Sequence, residues 1–266
     1  MKRIFIFAGT TEGRELSDRL SKSGFEVSAS VATEYGAQLL PKSENLKVLQ
    51  GRLDSAQMIS LLSQADYAYV IDATHPFATE VSKEIKKACN CTKIPYLRLA
   101  RNTESEEEDV PAQSQNLLYF DDIAQASEWL ESQGGKIFVT TGSKELSQIC
   151  RKITDKSRLF VRVLPSQESL EICRNCGIAE SQIIAMQGPF SLESNLSHFR
   201  EGGAEILLTK ESGSKGGYFE KISAAQELGM KIAVIKNPEK ARQNDVQTDQ
   251  IFHSVEEICD KLEFEK

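Results

Sequence analysis

The chain has 266 residues, of which 40% are hydrophobic and 27% charged, and carries a formal net charge of -7 at pH 7. That length suits one large or two medium domains with a sizeable core, and the composition is that of a globular protein rather than a disordered one. Net negative charge without an aromatic-and-basic strip argues against nucleic-acid binding, and no apolar run is long enough to span a membrane.

Lys2-Arg3 and the apolar Ile4–Ala8 are too short for a signal peptide and meet Glu12, Arg14 and Glu15 at once, so a cytoplasmic location is expected. The six cysteines, Cys89, Cys91, Cys150, Cys173, Cys176 and Cys259, are then expected to be thiols. Cys173-Arg-Asn-Cys176 has the spacing of half a zinc site, but no second pair with a neighbouring His completes it. Buried small hydrophobes are the preferred reading, and no metal is expected.

Ile4–Ala8 predicts a buried parallel strand, followed by the turn Gly9-Thr-Thr-Glu-Gly13 and a helix with Leu16 and Leu20 at helical spacing. Strand, tight turn and helix aim backbone N–H groups and a helix dipole at a phosphate. Gly9, Thr10, Thr11, Glu12, Gly13 and Arg14 are therefore expected cofactor contacts, with the threonine hydroxyls standing in for the incomplete glycine fingerprint. A turn that binds no nucleotide is the competing reading.

Phe25–Val31 predicts a second strand, and Ala32-Thr-Glu-Tyr-Gly36 falls where an adenosine ribose lies in a Rossmann-like half. Thr33 or Glu34 would reach a ribose hydroxyl there; a solvated helix start explains both equally well. Leu46–Leu49 is a third strand, and Asp54 or Ser55 caps a helix through Leu62. Tyr67–Ile71 is a fourth, running into Asp72-Ala-Thr-His-Pro-Phe-Ala78. His75 in that loop is either a ligand contact or a histidine bonded to backbone. After a helix to about Ala88 comes a fifth strand, Pro95–Leu99. The acidic, non-periodic stretch 102–116 predicts a linker between a nucleotide-binding domain, 1–101, and a second α/β domain, 117–266.

The second half restarts the pattern. Asp121 or Asp122 caps a helix through Leu130, and Lys136–Thr140 is a strand. The turn Thr140-Thr-Gly-Ser-Lys-Glu-Leu146 echoes Thr10–Leu16 about 130 residues earlier, so Thr141, Gly142 and Ser143 are expected as further cofactor contacts. Strands Leu159–Leu164, Ile183–Met186, Ile206–Leu208 and Lys231–Ile235 alternate with helices Ser166–Asn175, Ser191–Phe199 and Tyr218–Leu228, and Ser254 caps a terminal helix, Val255–Leu262. The predicted fold class is α/β: two Rossmann-like or flavodoxin-like domains, each a mostly parallel sheet flanked by helices, with a cleft between them. The loop Thr209–Lys221, rich in glycine, serine and lysine, suits a ligand with several carboxylates or phosphates; a solvated loop is the alternative.

Taken in order, these motifs resemble the (cobalt-)precorrin-6A reductase family of cobalamin biosynthesis over nearly the whole chain. The resemblance rests on Gly9–Leu16, Gly51-Arg-Leu-Asp54, Asp72–Ala78 and Ile94-Pro-Tyr-Leu-Arg98 in the first half. In the second half it rests on Thr140–Leu146, Val161-Arg-Val-Leu-Pro165, Met186-Gln-Gly-Pro-Phe-Ser191 and Thr209-Lys-Glu-Ser-Gly213. Ala8 departs from the family's pattern by replacing a usual second glycine before the threonines.

The resemblance implies NADPH or NADH as cofactor and a tetrapyrrole with several carboxylates as substrate. It implies hydride transfer to one double bond of the macrocycle, taking (cobalt-)precorrin-6A to (cobalt-)precorrin-6B. An acidic protein that binds such a substrate must present local cations, and Arg98, Lys144, Arg162, Lys210, Lys215 and Lys221, with Ser212, are the candidates; at least two of the six cations are expected to be ligands, a surface or interdomain ion pair being the alternative for each. The proton donor stays open among His75, Tyr218 and solvent, and no catalytic side chain is assigned. A non-catalytic nucleotide- or tetrapyrrole-binding protein and a two-domain α/β transferase are the alternatives.

Overall fold

The apolar runs of the sequence become the central strands of two parallel sheets. A computed structural model describes residues 1–100, 116–212, 217–238 and 250–264. The chain divides into two units, Met1–Asn102 with Ala241–Lys266, and Thr103–Lys240.

In the first unit the elements run β1 (Arg3–Phe7), α1 (Thr11–Lys22), β2 (Glu26–Val31), α2 (Glu34–Gln38), β3 (Leu46–Gln50), α3 (Ser55–Leu62), β4 (Tyr67–Asp72), α4 (Thr79–Thr92) and β5 (Tyr96–Leu99). The second unit holds β6 (Leu117–Phe120), α5 (Ile123–Ser132), β7 (Ile137–Val139), α6 (Leu146–Lys152), β8 (Leu159–Val163), α7 (Gln167–Asn175) and β9 (Ile183–Ala185). It continues with α8 (Leu192–Glu201), β10 (Ile206–Lys210), α9 (Tyr218–Glu227) and β11 (Lys231–Ile235); β12 (Gln250–Phe252) and α10 (Val255–Phe264) then return to the first.

The first sheet has the order β12-β5-β4-β1-β2-β3 and the second β6-β11-β10-β7-β8-β9, with parallel pairing throughout the described residues. Read from β3, the first is the doubly wound Rossmann order, whose strand sequence reverses between β1 and β4. The second repeats it from β9, reversing between β7 and β10.

The sixth place is filled differently in each sheet. β12, which completes the first, follows the whole second unit in sequence, while β6, which completes the second, precedes β7. This differs from the expected division, in which everything after 116 belonged to one domain: β12 pairs with β5, and α10 packs Ile258 and Leu262 into the core of α1 and β1. Except for Asn116, the expected linker 102–116 lies outside the described residues.

Both faces of each sheet are covered, which is why the central strands read as continuous apolar runs. Ile4 and Ile6 pack beneath α1 and α10, with Leu16 and Leu20, while Phe5 and Phe7 face α3 and α4, with Met58 and Ile85. In the second unit Phe138, Leu207, Ile232 and Val234 lie under α8 and α9, against Phe199, Ile222 and Ala225. All six cysteines are free. Among the described residues no helix is long and apolar enough to cross a membrane.

Several helix starts follow from local chemistry. Asp54 accepts the N–H of Gln57 at 2.8 Å, and the Gln57 side chain accepts the Asp54 N–H at 2.9 Å, a reciprocal capping box for α3. Asp54→Ala is expected to lower stability by about 1 kcal/mol in urea unfolding, the usual size of a lost N-cap.

Candidate functional site

The switch point of the first sheet is assembled from the loops that leave β1 and β4. Neighbouring backbone holds them together: Ala73 N–H donates to the Phe7 carbonyl at 3.1 Å, and Ala8 N–H to the Ser30 carbonyl at 2.8 Å. The turn into α1 then passes so close to the β4 loop that side chains are excluded. A Cβ on Gly13 would stand 2.9 Å from both the Ala73 Cβ and the Ala8 Cα, and one on Gly9 would stand 3.3 Å from the Thr74 Cα. Gly13 is therefore required by packing, while Gly9 is closely approached by the loop.

Thr10 is the N-cap of α1. Its Oγ1 accepts the Gly13 N–H at 3.2 Å and donates to the Ala73 carbonyl at 3.1 Å, so its one proton is committed inside the protein. Thr11 is different: it is exposed, and its hydroxyl accepts from the half-buried Arg14 guanidinium at 2.9 Å. Glu12, half-buried, shares this first turn. Thr33 is exposed at the end of β2 and caps α2 through the Gly36 N–H at 3.1 Å, with Glu34 exposed beside it. At Thr33 and Glu34 the described structure is a solvated helix start.

Behind the β4 loop lies a buried ion pair between Arg98 and Asp72. Arg98 is buried and binds Asp72 Oδ1 at 2.6 Å, and it also donates to the Thr74 carbonyl at 3.0 Å and to Thr74 Oγ1 at 3.1 Å. Asp72 is fully buried and also accepts from the Thr74 N–H, the Thr74 hydroxyl and the Tyr96 hydroxyl, at 3.0, 2.7 and 2.9 Å. Burial alone would raise the Asp72 carboxyl; the Arg98 charge and the hydrogen bonds from Ser82 and Thr74 outweigh it and hold the group below its ordinary range. Arg98, expected among the substrate ligands, braces this loop. His75 sits on the same loop, half-buried, with Nδ1 accepting the Phe77 N–H at 3.3 Å.

The second unit's switch point looks similar in sequence but is built differently. Thr140 turns both its N–H and its hydroxyl onto the Leu208 carbonyl, at 2.9 and 3.1 Å. Gly142 needs its glycine, having φ +89°, and Ser143 Oγ is 3.2 Å from Ser169 Oγ. Thr141 is buried, with its hydroxyl hydrogen-bonded to no described group. Where α1 begins within the first turn's motif, α6 begins only at Leu146 and has no side-chain cap, so the repeated residues do not form a second capped helix start.

The expected cations are dispersed around this edge. Lys144 is exposed, while Lys210 binds Glu145 at 2.6 Å, and Ser212 is half-buried just beyond β10. Lys215 lies outside the described residues. Arg162 is buried on β8, with its guanidinium 3.9 Å from the Phe190 ring centroid and Nη1 3.1 Å from His198 Nδ1. Burial pushes this guanidinium down to about 10, so it stays positive at neutral pH. Burial, and then the Arg162 charge, lower His198, which leaves it a neutral acceptor.

Comparison with known proteins gives this arrangement its context. The sequence model of the precorrin-6x reductase CbiJ/CobK family matches residues 3–263. The chain belongs to this family. It is 33% identical over 261 residues to the cobalt-precorrin-6A reductase of Priestia megaterium, with 97% of each chain covered. It is 34% identical over 260 residues to the cobalt-precorrin-6A reductase of Methanothermobacter thermautotrophicus, covering 97% of this chain and 83% of the other. A solved structure of CobK precorrin-6A reductase matches with a TM-score of 0.73 over 98% of this chain and 96% of that one, at 22% identity, a likeness of fold.

Within this reductase-family chain, Gly9–Arg14, Thr33 and His75 gather at the carboxyl edge of the first sheet, the ligand side of such sheets. Thr141–Lys144, Arg162 and Lys210 gather at the corresponding edge of the second. The sequence reading missed Asp72, Tyr96 and Thr209 as shapers of these edges. Asp72 ends β4, and Thr209 is the first polar residue after the apolar run of β10; that was the available signal.

Proposed function

We propose that the protein reduces (cobalt-)precorrin-6A to (cobalt-)precorrin-6B by hydride transfer from NADPH or NADH, as an oxidoreductase of cobalamin biosynthesis. The observation that carries this reading is 33% identity to a cobalt-precorrin-6A reductase over 97% of both chains. The nucleotide belongs at the β1–β4 switch point, where the turn leaving β1 carries the exposed Gly9 and Thr11 into the first turn of α1. When bound, the reduced nicotinamide supplies the hydride.

The protein's own residues supply binding and orientation. The first-turn amides of α1, with Thr11 and Arg14, receive the pyrophosphate, and Thr33 or Glu34 receives a ribose hydroxyl. Thr10 contributes by fixing the helix start, and Asp72 with Arg98 by fixing the loop that carries His75. Cations of the second unit receive the carboxylates of the tetrapyrrole. The cytoplasm is the setting in which the six free cysteines stay reduced.

Supplying each nucleotide with and without (cobalt-)precorrin-6A tests the reading. Reduced-nicotinamide absorbance is expected to fall only when both protein and tetrapyrrole are present. Nucleotide binding without turnover would support the non-catalytic binding protein. Failure to bind either nucleotide would sink the reductase and favour the transferase alternative.

A further inference from the structure

The second unit buries two cations that its described residues leave without a carboxylate. Arg162 on β8 and Lys221 in the first turn of α9 are 7% and 8% exposed. A guanidinium has five N–H donors, and Arg162 uses them on one described acceptor, His198 Nδ1. The Lys221 ammonium makes no hydrogen bond or ion pair with a described residue, its backbone N–H alone donating to the Gly217 carbonyl. The charges it feels are Arg162 and Lys210, which oppose its own, and Glu220, which favours it. Lys210 is already paired with Glu145, while Glu220 Oε2 is buried with no hydrogen-bond partner and so closes no pair with Lys221.

Geometry gathers these groups. β7 pairs Val139 with Val161 of β8 and with Leu208 of β10. Arg162 and Thr209 therefore lie one residue further along, level with each other at the carboxyl edge. Phe138 and Leu207 share their face of the sheet, beneath α8 and α9, and Arg162 is 5.8 Å from the Phe138 ring centroid. Thr209 is 0% exposed and its hydroxyl has no hydrogen-bond partner. The Arg162 guanidinium carbon stands 3.9 Å from the Phe190 ring centroid, a cation–π contact. Burial pushes the Lys221 ammonium down to about 7, with the Arg162 and Lys210 charges adding to the effect.

Buried charges persist in proteins when something neutralises them. We propose that Arg162, Lys221 and the Thr209 hydroxyl form an anion pocket of the second unit, and that its occupant is a carboxylate arm of the tetrapyrrole. A planar carboxylate matches the Arg162 fork, Lys221 adds the second charge and Thr209 a donor. The inference rests on the proposed substrate class. A phosphate of the nucleotide has related anion chemistry, so the experiment separates the two.

Lys221→Met keeps the apolar stem and removes the charge. The ligand-free variant is expected to unfold at higher urea than the wild type, because it sheds a buried, unpaired ion. A lower midpoint would mean that Lys221 is paired within the protein, which overturns the pocket without touching the functional reading. In steady-state assays, Lys221→Met and Arg162→Met are expected to raise the KM for (cobalt-)precorrin-6A tenfold or more, leaving the KM for NADPH within twofold; Lys221→Arg is expected to recover most of the loss. A larger effect on NADPH would assign the pocket to nucleotide phosphate and overturn the proposal. Uroporphyrin, a polycarboxylate macrocycle, provides a binding probe that needs no turnover. Its binding to the wild type, with a shift of the Lys221 Nζ resonance in ¹⁵N-lysine spectra, is expected; an unmoved resonance overturns the pocket even if both Met variants fail to fold. Wild-type protein that binds uroporphyrin but never oxidises NADPH with (cobalt-)precorrin-6A would refute the reductase reading instead.

Discussion

Gly13→Val is expected to lower the unfolding free energy by about 3 kcal/mol and to abolish nucleotide binding. The reason is contact with atoms that have nowhere to go. An added Cβ would stand 2.9 Å from the Cα of Ala8, at the end of the central strand β1, and 3.3 Å from the Ala73 carbonyl oxygen. Relief requires α1 to move off the sheet, and α1 carries Leu16 and Leu20 into the core. Overpacking of this kind costs about 1–3 kcal/mol, and the two γ-methyls of valine place the expectation at the upper end. Gly13→Ala should fall lower, because alanine regains about 1 kcal/mol of helix propensity. Glu15→Ala, exposed on the same helix, serves as the reference and should stay within about 0.5 kcal/mol. Urea midpoints at unchanged slope measure the first effect, and quenching of reduced-nicotinamide fluorescence the second. A valine variant with wild-type midpoint and affinity would show that the turn is not held against the β4 loop.

Gly13 also shows where a sequence is readable and where it stops. That a glycine follows β1 at the start of a helix is local information, and it located the turn correctly. The caps at Asp54 and Asp122 (against Ser55 and Asp121), Ser191 and Ser254 were readable for the same reason: each bonds an amide three residues along its own chain. β6 and β12 escaped because they are short edge strands with mixed burial, and their partners are β11 and β5, far away in sequence.

The same limit governed the site. Thr10 and Arg98 were read as facing a ligand, yet Thr10 donates to Ala73 and Arg98 binds Asp72, partners contributed by another loop and another strand. A charged or hydroxyl side chain at a strand end announces polar chemistry; only the register of β1, β4 and β5 decides whether that chemistry is spent on the protein or left for a ligand.

Arg98 is where this distinction has the largest measurable consequence. Arg98→Met is expected to destabilise the protein by about 3–5 kcal/mol, the effect of leaving one member of a buried ion pair alone. Asp72 would keep its bonds from Thr74 and Tyr96 but lose the charge that offsets its burial. Solution pH adds a second signature. In the wild type the folded Asp72 carboxyl lies below its unfolded value of about 3.9, so its contribution is fully present above that value and is lost as pH falls through the folded one. Without Arg98, burial dominates and raises the folded carboxyl, so protonation then favours the folded state. The gap between wild type and Arg98→Met should therefore narrow as pH drops below about 4. Asp72→Asn in the Arg98→Met background removes the stranded charge and should recover part of the loss, giving a coupling of more than 1 kcal/mol in the double-mutant cycle. If Arg98 were instead a ligand for substrate carboxylate, Arg98→Met would raise the KM for the tetrapyrrole while leaving the urea midpoint and its pH dependence unchanged.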